Sequence, residues 1–122
     1  MDKALHFSAI NVPSRRKRIF LSLIHISNWQ AFEEKLPTKA RIWFVESGGP
    51  KIYTEAKFSA DDYLVFGRET AGLPKQLLEQ NRNHWLRIPM FNEKSRSLNL
   101  SNCAALVLFE ALRQQDFNGE IH

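Results

Sequence analysis

Apolar positions along this chain come in short runs separated by turn residues, and the runs sharpen toward the C-terminus. Met1 to Val12 keeps no sustained period of either 3.6 or 2, and Pro13 breaks whatever precedes it. Ile19 to Ile26 is apolar enough for a strand. From Ser27 onward the pattern is readable. Ser27 or Asn28 can cap a helix over Trp29 to Leu36, with acidic residues early, Pro37 as the stop, and Trp29, Phe32 and Leu36 on one face. Ala40-Arg-Ile-Trp-Phe-Val45 is β-branched and aromatic and predicts a strand. It runs into Glu46-Ser-Gly-Gly-Pro50, a turn whose glycines allow close backbone approach. Tyr53 to Phe58 reads as a surface crossing.

Tyr63-Leu-Val-Phe66 is continuously apolar, as expected of a strand covered on both faces. Pro74 suits the first turn of a short helix, Lys75 to Gln80. Trp85 to Ile88 is a further short strand stopped by Pro89. A last helix starts near Asn99 or Leu100 and reaches about Gln115, apolar almost all round, which predicts burial against the sheet and a second subunit. Strands alternating with helices indicate an α/β fold, a mainly parallel sheet flanked by helices, in one domain spanning 1–122.

Composition changes this picture little. Of 122 residues, 43% are hydrophobic and 25% charged, as in an ordinary folded domain. Cys103 is the single cysteine, which excludes an internal disulfide and gives no sign of an oxidising compartment. No run approaches the roughly 20 apolar residues of a membrane span, and Ile19–Ile26 lacks a cleavage site, so a cytoplasmic location is expected. The formal charge is +4. Its excess lies near the N-terminus: residues 1–40 hold seven Lys or Arg against three acids, and residues 41–122 hold ten of each. Arg15-Arg-Lys-Arg18 fits either a phosphate track or a solvated turn.

Two loops carry more polar or small residues than a core-supporting turn needs. Gly67-Arg68-Glu69-Thr70-Ala71-Gly72 follows the buried strand; its glycines can bring backbone N–H groups to a ligand, with Glu69 placed to orient a polar group, though a purely structural turn also fits. Ser95-Arg-Ser-Leu-Asn-Leu-Ser-Asn102 precedes the final helix with more capping capacity than one N-terminus uses. That surplus suits an anionic ligand, and Lys94 and Arg96 suit a phosphate-bearing partner; simple capping is the plainer alternative. The histidines His6, His25, His84 and His122 are scattered without metal-ligand spacing, so no metal is expected. Cys103 reads as a small hydrophobe.

Leu64-Val-Phe-Gly-Arg-Glu-Thr-Ala-Gly-Leu-Pro74, Arg87-Ile-Pro-Met90 and Ser95-Arg-Ser-Leu-Asn-Leu-Ser-Asn102 resemble motifs two and three of the SpoU branch of the SPOUT RNA methyltransferases. The likeness runs from about Asn28 to Phe117 and is greatest to the tRNA (cytidine/uridine-34) 2′-O-methyltransferases. It implies a C-terminal trefoil knot, a feature that topology rules make rare. It also implies methyl transfer from S-adenosylmethionine to the ribose 2′-OH of the wobble nucleotide of tRNA, contact with the anticodon stem-loop, and a homodimer. By the same resemblance Val45, Gly67, Ile88, Ser97 and Leu98 hold the cofactor, Glu69, Ser97 and Asn99 surround the reacting centre, and Arg68, Lys94 and Arg96 meet RNA. The family's first motif, an Asn-Thr-Gly-Asn-like run with a following arginine, has no match here; residues 1–27 diverge and the N-terminal part of the family domain is expected to be missing. A catalytically impaired cofactor- or RNA-binding remnant and an rRNA ribose methyltransferase are the alternatives.

Overall fold

A computed structural model describes residues 7–13, 24–67, 72–91 and 99–120. Strands β1 (Phe7–Asn11), β2 (Ile24–Ile26), β3 (Ile42–Val45), β4 (Lys51–Ile52), β5 (Tyr63–Gly67) and β6 (Trp85–Arg87) form one sheet in the order β2-β1-β5-β3-β6-β4. The pairings β5–β3, β3–β6 and β6–β4 are parallel, and β1 joins both β2 and β5 antiparallel. Helices α1 (Trp29–Lys35), α2 (Lys75–Gln80) and α3 (Leu100–Gln114) flank it.

Alternation along the strands divides the core into two layers. Ile10, Trp43, Val45, Leu64, Phe66 and Leu86 point to the face that α3 covers with Ala104, Val107, Leu108 and Ala111. Phe7, Ala9, Phe44, Val65 and Trp85 point to the other face, where Leu73 and Leu78 join them and Trp29 and Phe32 of α1 pack half-buried. Covered on both sides, β5 must be apolar at every position, which is why Leu64, Val65 and Phe66 are all buried. Each such side chain contributes about 1.5–3 kcal/mol by leaving water.

Several elements differ from the sequence reading. Phe7–Asn11 is a strand, and an inner one; Ser8 and the small Ala9 blur its period, and its place is fixed by a five-residue register with β5. Lys51–Ile52 is also a strand, too short for any pattern. Asn28 rather than Ser27 caps α1, its side chain accepting from the Ala31 N–H at 3.0 Å, and the first turn holds no acid because Glu33 and Glu34 lie further along. The crossing after β4 does not stay on the surface. After a 3₁₀ turn at Tyr53–Glu55, Ala56 and Phe58 are buried, and Phe58 meets Trp43 edge-on at 5.4 Å. Within the described chain α3 is buried against the sheet as expected, through Ala104, Val107, Leu108 and Ala111, while Phe109 is 54% exposed and Leu106 38%.

The amino ends of β3 and β5 are closed by a buried acid. Asp62, 3% exposed, accepts from Arg41 Nε (3.2 Å) and Nη2 (3.0 Å), from Trp43 Nε1 (2.9 Å) and from the Ser59 N–H (2.8 Å). Its hydrogen bond holds the Arg41 guanidinium above its ordinary pKa. The far end of α3 is fastened to the same region. Gln114 accepts from the Phe58 N–H and donates to the Ala56 carbonyl, and Gln115 donates to the Phe58 carbonyl. Since α3 is 15 residues, about 22 Å, its N-terminus is carried toward the opposite, carboxyl end of the sheet.

Candidate functional site

The carboxyl ends of three neighbouring parallel strands meet at one edge. Val45 pairs with Phe66 on one side and Leu86 on the other, so the chain leaves β3, β5 and β6 at the same level. Open α/β sheets bind ligands at such an edge. Of the residues expected to hold a cofactor, Val45, Gly67 and Ile88 lie there together: Val45 is buried at the end of β3, Gly67 ends β5, and half-buried Ile88 follows β6.

Glycine is demanded at this edge by close packing. A Cβ on Gly67 would stand 2.4 Å from the Gly72 carbonyl carbon and 2.5 Å from the Leu73 nitrogen, so the loop leaving β5 returns onto its own start. Gly72 takes a φ of +68°, which side chains disfavour. On the next strand end, a Cβ on Gly49 would meet the Leu86 carbonyl carbon at 2.6 Å. The turn after β3 is thus pressed against β6, and Arg87 Nη1 donates to the Gly49 carbonyl at 2.8 Å.

Asn99 is the N-cap of α3. Its Oδ1 accepts from the Asn102 N–H at 2.9 Å, and its carbonyl accepts from the Cys103 N–H. The capping role open in the sequence is therefore occupied by this residue. Arg68, Glu69, Lys94, Arg96, Ser97 and Leu98 lie outside the described residues, as do Arg15, Arg16 and Arg18. Cys103 is half-buried and packs against the α3-side core. Among the described residues no three His, Cys, Asp or Glu side chains are grouped to hold a metal, and no helix is long and apolar enough to cross a membrane.

One residue at this edge escaped the sequence reading, which took Glu46 as part of a turn. Its carboxylate Oε1 accepts from the Leu73 N–H at 2.8 Å, bridging the end of β3 to the loop after β5. The available signal was an acid placed directly between a strand end and a glycine pair. An open cleft of about 310 Å³ also exists, lined in part by Asn11, Lys39, Arg41, Asp62 and Tyr63. It lies at the amino ends of β3 and β5, and its buried acid is already saturated by protein donors, so it is part of the fold's closure.

An open α/β sheet with glycine-pinched turns at the carboxyl ends of adjacent parallel strands is a common frame for ligand binding. Its family follows from direct comparison. Residues 4–109 match the model of the SpoU rRNA Methylase family, and the chain belongs to that family. A tRNA (cytidine(34)-2′-O)-methyltransferase of Saccharophagus degradans is 43% identical over 99 residues, covering 80% of this chain and 63% of that protein. One of the same name from Burkholderia cenocepacia is 43% identical over 94 residues, 75% of this chain and 60% of the relative. Among solved structures, one concerned with 2-OH methylation of C/U34 on tRNA superposes with a TM-score of 0.66 at 39% identity, over 74% of this chain and 57% of the other. A crystal structure from Bacillus anthracis gives 0.68 at 45% identity, over 75% and 58%. The chain spans about half to two-thirds of the length of the curated relatives it matches.

Proposed function

We propose that this chain carries the cofactor-binding part of a tRNA 2′-O-methyltransferase, which transfers a methyl group from S-adenosylmethionine to the ribose of the wobble nucleotide. The observation that carries this reading is the meeting of the ends of β3, β5 and β6 at one glycine-lined edge, in a chain of the SpoU family. The names of the relatives supply the substrate class.

The residues at this edge suit a nucleoside-bearing cofactor. Glycines let the strand ends approach one another closely, and half-buried Ile88 offers apolar surface for a base. In this reading Val45, Gly67, Ile88, Ser97 and Leu98 hold the cofactor largely through backbone. When bound, S-adenosylmethionine supplies an electrophilic methyl group on a positively charged sulfur. A ribose hydroxyl is a weak nucleophile near neutral pH, so it must be aligned and its proton accepted. Glu69, Ser97 and Asn99 orient it, while Arg68, Lys94 and Arg96 take phosphates of the anticodon stem-loop. In this reading the C-terminal segment threads through a loop to make the family's trefoil knot, within one domain. The outward Leu106 and Phe109 of α3 form part of a homodimer contact, and the protein works in the cytoplasm without a metal.

Incubation with unmodified tRNA and methyl-labelled S-adenosylmethionine, followed by nucleoside mass spectrometry, tests this. Label in 2′-O-methylcytidine or 2′-O-methyluridine at the wobble position is expected; label in rRNA alone contradicts the substrate. Cofactor binding without transfer would favour a second reading, a binding remnant of the family.

A further inference from the structure

From the bonds of one side chain we infer that Glu46 is a positioning residue for the cofactor edge, setting the spacing of all three strand ends; this rests on the methyltransferase reading above. Glu46 continues β3. Its N–H donates to the Leu86 carbonyl at 2.9 Å, and its carbonyl accepts from Trp85 Nε1 at 3.2 Å, which fixes its backbone against β6. Its carboxylate then crosses to the loop after β5, where Oε1 accepts from the Leu73 N–H at 2.8 Å. The two carboxylate oxygens also lie 3.0 and 3.1 Å from where a Cβ of Gly72 would be, so the group rests directly against that residue. Among the described residues, Oε2 accepts long contacts from the Ser47 N–H (3.3 Å) and Oγ (3.5 Å). One residue is therefore bonded to β6 and to the loop of β5 while ending β3.

Gly72 and Leu73 lie with their backbone against Gly67, and no side chain on either glycine can brace that contact. A charge-assisted hydrogen bond from a neighbouring strand end supplies that brace. Without it the Leu73 backbone loses its tie to the end of β3, the spacing of the strand ends is no longer fixed, and apparent affinity falls with the competent fraction.

The test compares Glu46→Ala with Glu46→Gln, whose amide oxygen can still accept the Leu73 N–H. Three readouts are needed: calorimetric titration with S-adenosylhomocysteine, hydrogen exchange of the Leu73 amide without ligand, and thermal unfolding. Glu46→Ala is expected to weaken binding about tenfold or more and to speed Leu73 exchange by a similar factor, while Glu46→Gln stays within about threefold of the parent. Gly72→Ala, which presses a methyl group onto the carboxylate, should weaken binding in the same direction with Glu46 itself unsubstituted. Unchanged affinity and exchange in Glu46→Ala would overturn the proposal. So would equal losses in both Glu46 variants, which would mark the charge as a direct ligand contact. If the parent itself fails to bind S-adenosylhomocysteine, the cofactor reading fails, and Leu73 exchange alone then decides whether Glu46 holds the loop.

Discussion

The two ends of the sheet are built on opposite plans. At the amino ends of β3 and β5, side chains bond to side chains: Asp62 gathers Arg41 and Trp43 along with the Ser59 N–H, and the Trp43 ring stacks on His84 at 4.4 Å. Asn11 adds hydrogen bonds to the carbonyls of Asp61 and Asp62. At the carboxyl ends backbone lies against backbone, with glycines at 49, 67 and 72 where any side chain would collide or be strained, and Glu46 as the crossing brace. Polar side chains close one end, and close backbone packing shapes the other, where the cofactor is proposed to bind. Substitutions should therefore separate stability from binding according to the end they strike.

The largest effect is expected from Gly67→Val at the carboxyl end. Its Cβ falls on the backbone of Gly72 and Leu73, so the heat of S-adenosylhomocysteine binding should vanish in a titration. Retained binding would remove Gly67 from the site. At the amino end Asp62→Ala strips four donors of their acceptor, and unfolding should show a loss of about 3 kcal/mol. Cofactor affinity of the folded fraction should stay unchanged.

Asn99 sharpens the contrast, because it both caps α3 and belongs to the proposed reacting centre. Asn99→Ala should cost about 1 kcal/mol of stability through the lost cap. Asn99→Asp keeps a capping oxygen, so a fall in methyl transfer of about tenfold or more with an unchanged melting temperature would isolate the chemical role. Unchanged turnover would leave only the cap. The smallest effect is a pH dependence on α3. Arg113, by its hydrogen bond, holds the Glu110 carboxyl below its usual value. A carboxyl with a lowered folded pKa adds stability above its unfolded value and loses it as pH falls through the folded one. The stability gap between the parent and Glu110→Gln should therefore close as the solution is acidified below the ordinary carboxylate range, as thermal melts at several pH values would show.

Much of this was legible in the chain where local rules and tertiary packing agree. The strands ending at Val45, Gly67 and Arg87 and the helices capped by Asn28 and Asn99 follow from short apolar runs, turn residues and caps, and their parallel order brings Val45, Gly67 and Ile88 together. What escaped depends on partners distant in sequence. β1 is a strand because β5 lies beside it over five residues, not because Phe7-Ser-Ala-Ile-Asn11 alternates cleanly. β4 exists because Gly49 presses onto Leu86. Phe58 is buried by Trp43, and Glu46 acquires its role only when Leu73 is folded back to it. None of these leaves a periodic trace.

The most direct test of the account is an amide chemical-shift map on adding S-adenosylhomocysteine. The account predicts the largest changes at Val45, Glu46, Gly67, Leu73 and Ile88, with Asn11, Arg41 and Asp62 unmoved. Changes clustered on Asn11, Arg41 and Asp62 instead would place the ligand at the wrong end of the sheet and contradict it.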